Sequence, residues 1–204
     1  MPGIGGQAGQ GFDMLRCVRS GAERRVRRVR QRREEQRSMQ AVPNVVREHW
    51  PEYLMEAAGL GLFMVSAAVV TTLLEYPHSP LHGLFADQAT RRLMIGLAMG
   101  ATAIGLIYSP WGQRSGAHLN PAVTLTFYRL GKIGGIDACS YVMAQFFGGA
   151  LGLWLVSRAI GKAVEHPAVN YVVTTPGPAG SGTAFVAEAL ISFGLMLVVL
   201  MVSN

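Results

Sequence analysis

The residues of this chain whose types and spacing could do chemistry gather in one short stretch, Ser115-Gly116-Ala117-His118-Leu119-Asn120-Pro121-Ala122-Val123-Thr124-Leu125-Thr126-Phe127. Asn120 is a strong helix N-cap. Pro121 stands at the first helical position, where its missing N–H costs nothing. Arg129, Gly131 and Lys132 then read as a helix C-terminus. The helix so defined has about ten residues and is roughly 15 Å long at 1.5 Å per residue. That is half a bilayer, so the segment is expected to dip into a membrane and leave on the same side. Non-helical backbone at that depth survives only when buried in protein or lining a water-filled cavity. Gly116, Ala117 and His118 would therefore present backbone carbonyls to such a cavity. The positive end of the half-helix and the Asn120 amide would point at the same place. The chemistry on offer is hydrogen bonding to a passing solute, with no bond made or broken.

Other reactive residues are sparse. Glu56 and Glu188 lie inside apolar stretches. An intramembrane carboxylate can mark an ion-coupled transporter, and Glu56 could also snorkel to the interface. For His118 a structural side chain with only its carbonyl exposed is the simpler reading. Cys17 and Cys139 stand far apart, without His or Cys at metal-ligand spacing, and read as free thiols. The helices offer no metal cluster, no cofactor motif and no nucleophile–base pair, so an enzyme is not expected.

Four segments must position the loop. Residues 57–74, 93–109, 138–157 and 183–202 are each close to the ~20 apolar residues that a spanning helix needs. Their interior polar positions are mostly Ser, Thr, Gly and Gln, unlike the polar stripe of a soluble core helix. Trp50 and Tyr53 precede the first as interfacial anchors. Gly59, Gly61, Gly96, Gly100, Gly148, Gly149 and Gly152 would let helices approach closely in lipid. The fold class is an all-α membrane protein. Of its residues 15% are charged, against ~25% in an average soluble domain, and the charge is uneven. Residues 1–50 hold eleven Arg and five acidic residues; residues 51–204 hold seven of each sign. By the positive-inside rule the Arg-rich N-terminus stays cytoplasmic, and no cleavable signal peptide is expected ahead of helix 1.

The ten residues Ser115 to Thr124, set between the second and third spanning segments, resemble the first signature loop of the aquaporin and glycerol-facilitator family (major intrinsic proteins). The resemblance covers about residues 50–204. It implies a first repeat of three spanning helices plus a re-entrant half-helix, followed by the first helix of a second repeat. It also implies a passive channel for water or small neutral, glycerol-like solutes. Asn120 would donate to the solute oxygen within the signature Asn120-Pro121-Ala122, and Gly116, Ala117 and His118 would form a carbonyl ladder. Glu56, Gln145 and Glu188 stand where the family places buried structural polar residues; the two carboxylates would hold loop N–H groups. The family's selectivity constriction includes a residue twenty positions before the signature Asn, here Gly100. A glycine there implies a wider pore, although it could equally serve helix packing. Family members form homo-tetramers in a cell membrane, and short loops fit a bacterial inner membrane.

The inverted repeat implied by the family has a counterpart in sequence. Glu56-Ala57 with Met64 parallels Glu188-Ala189 with Met196, and in that register a second signature Asn would fall at about position 252, beyond residue 204. The expectation is a chain carrying one of two half-helices, an incomplete half of the pore, with a non-conducting membrane fragment as the alternative and an ion-coupled transporter behind it. Residues 1–49 read as a basic, disordered cytoplasmic tail. Three readings stay open for it: a segment lying near anionic lipid, a nucleic-acid-binding arm, or a mis-assigned start before Met39. Nucleic acid is not expected as a partner of the protein; water or small neutral solutes and the lipid bilayer are.

Overall fold

The computed structural model describes residues 8–202, and the side chains of residues 8–29, 31 and 33–42 lie outside that description, Cys17 among them. Among the described residues there are helices and no strands. The chain divides into two compact units, Met1–Glu48 and His49–Asn204. Helix α1 spans Ala8–Glu75. Residues 22–42 contain no Gly or Pro and are rich in Arg, Glu and Gln, all good helix formers.

Within α1, Pro43–Glu75 is long and apolar enough to cross a membrane; so are α3 (Gln88–Tyr108), α6 (Gly135–Ile160) and α8 (Gly180–Val202). These are the four segments read from hydropathy. The shorter helices are α2 (Pro80–Leu84), α4 (Pro110–Ser115), α5 (Pro121–Arg129) and α7 (Lys162–Glu165), with a 3-10 turn at Asn170–Val172.

Helices α1 and α6 pass at backbone contact. A Cβ on Gly148 would run into the Ala57 carbonyl, and one on Gly152 into the Gly61 carbonyl. Only hydrogen fits there, and in lipid such close packing replaces the hydrophobic drive between helices. Ala138, Tyr141, Gln145, Gly148, Gly152 and Val156 are the buried residues of α6; their spacing by three and four marks one face. Helix α3 joins α1 through a 2.8 Å hydrogen bond between the Ser66 and Thr102 hydroxyls. Gly96 and Gly100 differ from the packing expectation, since nothing lies within 4 Å of a Cβ built on either.

The connection from α1 to α3 is clamped by Arg91, which is buried. Its Nε donates to Glu75 at 3.2 Å and its Nη1 to the Phe85 and Ala86 carbonyls at 2.9 Å each. Asp87 caps α3 by accepting from the Thr90 N–H at 2.8 Å. At the other end of α3, Ser109 caps α4, and Gly112 packs so closely on the Leu106 carbonyl that no side chain could stand there. The chain therefore folds back at once and enters the loop at Ser115. Helix α8 buries none of its residues.

Candidate functional site

Ser115 ends α4, and Asn120 begins α5. Asn120 Oδ1 accepts from the Ala122 N–H at 2.8 Å, and Pro121 occupies the first turn. This cap fixes the amide orientation, because the oxygen must face the N–H. The Nδ2 group is thereby left as the side-chain donor, at the positive end of α5.

Between the two helices the backbone is unusual. Gly116, Ala117 and Leu119 have φ of 87°, 46° and 47°. For non-glycine residues the left-handed region costs roughly 1–2 kcal/mol each. Glu56 of α1 offsets that cost. Its Oε1 accepts from Ser115 Oγ at 2.7 Å and the His118 N–H at 3.0 Å; its Oε2 accepts from the Leu119 N–H and Gln145 Nε2, both at 2.8 Å. Glu56 has 0% exposure, as do Gln145 and Thr124. Hydrogen bonds to a charged acceptor contribute about 1.5–3 kcal/mol each, enough to hold two strained residues.

A second layer holds Glu56 in turn. Gln145 Nε2 also donates to Thr124 Oγ1 at 3.1 Å, while Gln145 Oε1 is buried without a protein partner. The nitrogen assignment stands, because a flipped amide would set oxygen against the carboxylate. The His118 Nδ1 lies 3.0 Å from Thr124 Oγ1, and its ring stacks on Phe127 and meets Tyr141 edge-on. Tyr141 donates to the Ser115 carbonyl at 2.8 Å. Of the sequence-derived residues, the structure brings together Glu56, Gln145, His118, Asn120 and the loop glycine and alanine. Ser115 and Thr124 carry no individual role in the sequence reading of the signature stretch, and Tyr141 lies outside it. Tyr141 and Gln145 share the buried face of α6, so the four-residue spacing was the available signal.

The carbonyls of Gly116, Ala117 and His118 accept no protein hydrogen bond among the described residues. These residues, Leu119 and Asn120 line a cavity of about 500 Å³ walled by Phe63 of α1, Ala103 and Ile107 of α3, Val123 and Phe127 of α5, and Leu195 and Val198 of α8. Gly100 is exposed and is not a wall of this cavity. It lies on the same face of α3 as Ala103 and Ile107, three and seven positions on, and so continues that wall along the helix.

Glu188, expected as a buried acceptor, is exposed on α8, none of whose described residues is buried. Cys139 is free and exposed. Among the described residues no group of three His, Cys, Asp or Glu side chains could hold a metal ion.

A family profile described as Major intrinsic protein matches residues 39–204. The chain belongs to that family. It is a family of channels, not enzymes, and the chain is an integral membrane protein. Probable aquaporin AqpM of Archaeoglobus fulgidus is 39% identical over 107 residues, covering 52% of this chain and 43% of that protein. Aquaporin NIP2-1 of Zea mays is 34% identical over 144 residues, 69% of this chain and 46% of the relative. Glycerol uptake facilitator protein-like 6 of Lactiplantibacillus plantarum is 35% identical over 112 residues, 55% of this chain and 51% of the relative. The chain spans about half the length of the curated relatives it matches.

Proposed function

We propose that this chain supplies one half of a passive pore for water and small neutral, glycerol-like solutes. The observation that carries the reading is the row of carbonyls at Gly116, Ala117 and His118, which accept no protein donor, beside the Asn120 Nδ2 on one cavity. Carbonyls left open at membrane depth belong on a solute path. A neutral solute with hydroxyl groups can donate to them and accept from Asn120. A cation meets the positive end of α5. The names of the relatives, aquaporins and a glycerol uptake facilitator, agree with this class of solute.

Within this reading, Gly100 widens the path next to the cavity, on the face of α3 that carries Ala103 and Ile107. Nothing stands within 4 Å of a Cβ there, so α3 gives up a wall where a large side chain would narrow the path. The remaining parts of the proposal are a cell-membrane location with the N-terminus in the cytoplasm, and a homo-oligomer, a tetramer by family resemblance, whose apolar outer faces meet lipid. The test is stopped-flow swelling and shrinkage of proteoliposomes holding the full protein. Wild type should pass water and glycerol faster than empty vesicles. Gly100→Trp should cut glycerol and urea permeation severalfold while sparing water. Unchanged glycerol and urea rates in that variant would remove Gly100 from the selectivity path, and rates equal to empty vesicles in wild type would sink the channel reading.

A further inference from the structure

Leu119 is held at two points by one face of α1. Glu56 takes its backbone N–H at 2.8 Å, and three residues along the helix Gly59 takes its side chain. A Cβ on Gly59 would collide with Leu119 Cδ2, and that methyl is the first atom it would meet. Gly59 is buried, and Phe63, one turn further along the same face, lines the cavity. The notch left by the missing side chain therefore opens beside the solute path, and Leu119 itself forms part of the cavity wall.

We propose that Gly59 is a positioning residue that parks the Leu119 side chain out of the path and so sets the bore beside Asn120. The proposal rests on the reading of this cavity as a solute path and names a second determinant of its width, on a helix other than that of Gly100. The backbone of Leu119 cannot retreat. Its N–H is fixed on Glu56, and Asn120, the next residue, is fixed as the cap of α5. A methyl at position 59 must then be accommodated by turning the Leu119 side chain to another staggered well. Leu119 touches α1 at Gly59 and also lines the cavity, so the cavity is the open space into which the displaced isobutyl group can turn.

Two measurements test this, one of transport and one independent of it. In proteoliposomes holding the full protein to which this chain belongs, Gly59→Ala should lower the ratio of glycerol to water permeability severalfold. Leu119→Ala added to Gly59→Ala should restore the ratio, which a general loss of folding would not allow. The second measurement replaces Cys17 and Cys139 by serine and places a single thiol on the cavity wall with Ala103→Cys. Gly59→Ala should then slow alkylation by a bulky aromatic thiol reagent relative to a methyl-sized one, and Leu119→Ala should reverse the change. If wild type conducts nothing, the transport reading fails while the thiol ratio still decides the Gly59 assignment. Reagent and permeability ratios unmoved by Gly59→Ala, or moved and not restored by Leu119→Ala, would overturn it.

Discussion

At the scale of single residues, the site depends on a carboxylate surrounded by donors. Glu56 accepts from Ser115, His118, Leu119 and Gln145, two donors on each oxygen. In a Glu56→Gln variant one oxygen becomes an NH2 group, and whichever way the amide turns, a backbone N–H, that of His118 or of Leu119, faces a donor. With the residue fully buried, the loss should be about 1.5–3 kcal/mol, the contribution of one such bond. Denaturant titration in mixed micelles should show it. Equal stability of Glu56→Gln and wild type would mean that the loop is held by other contacts. The sequence exposed part of this arrangement. Asn120 followed by Pro121 is a helix start in any context, and the apolar run after it was too short to span. What sequence could not show was which donors meet Glu56. Ser115 and Tyr141 reach the loop through tertiary contacts, and no local pattern marks a serine or a tyrosine as a partner in such a network. Glu188 stands in the register that matches Glu56, and the exposed α8 of this chain offers it no donors comparable to those around Glu56.

At the scale of elements, two adjacent glycines of α6 should behave oppositely. A methyl at Gly148 would meet the Ala57 carbonyl and Cα of α1, which are backbone atoms and cannot rotate away. Gly148→Ala must push the helices apart, at a cost of about 1–3 kcal/mol for overpacking. A methyl at Gly149 would lie 3.5 Å from Leu60 carbons, an ordinary contact, and alanine is intrinsically better in a helix by about 0.8–1 kcal/mol. Gly149→Ala should therefore be neutral or stabilising in thermal unfolding of the detergent-solubilised protein, and a matching loss at both positions would contradict the crossing described here. Composition could mark Gly148 and Gly149 as helix-contact candidates but could not rank them, because the ranking depends on a rotation of α6 that only packing fixes. The cap of α3 gives a pH-dependent counterpart. Hydrogen bonds from the Thr90 hydroxyl and N–H hold the Asp87 carboxyl below its ordinary range. A depressed folded-state pKa contributes stability that is present above the unfolded value and lost as pH falls through the folded one. Thermal stability should thus decline more steeply on the acid side, below about pH 4, in wild type than in Asp87→Asn, which keeps an acceptor that does not titrate. Parallel acid profiles for the two proteins would remove Asp87 as a contributor.

At the scale of the whole molecule, the proposed orientation in the bilayer rests on a narrow margin of charge. With the N-terminus in the cytoplasm, α4, the re-entrant loop and α5 open to the same side, because each spanning helix reverses direction. From Met39 onward the cytoplasmic side would carry Arg47, Arg114, Arg129 and Lys132, and the opposite side Arg91, Arg92, Arg158 and Lys162, four against four. The structure tilts even this balance slightly, since Arg91 is buried against Glu75 and its charge is engaged within the fold, while Arg114 pairs with Glu52 at the surface. In the proposed orientation the remaining bias comes from the Arg residues between positions 16 and 37, those nearest the span contributing most to retention on the cytoplasmic face. Removing residues 1–38 should therefore weaken the preference. A thiol introduced by Lys132→Cys, with Cys17 and Cys139 replaced by serine, should react with a membrane-impermeant reagent only after cells are opened when the tail is present. In the shortened protein a fraction should react in intact cells. A thiol introduced by His78→Cys, in the connection from α1 to α3, should show the reverse pattern. If the shortened protein keeps Lys132→Cys protected in intact cells, the apolar helices and their order of insertion fix the topology, and the Arg-rich segment must be explained by something other than orientation.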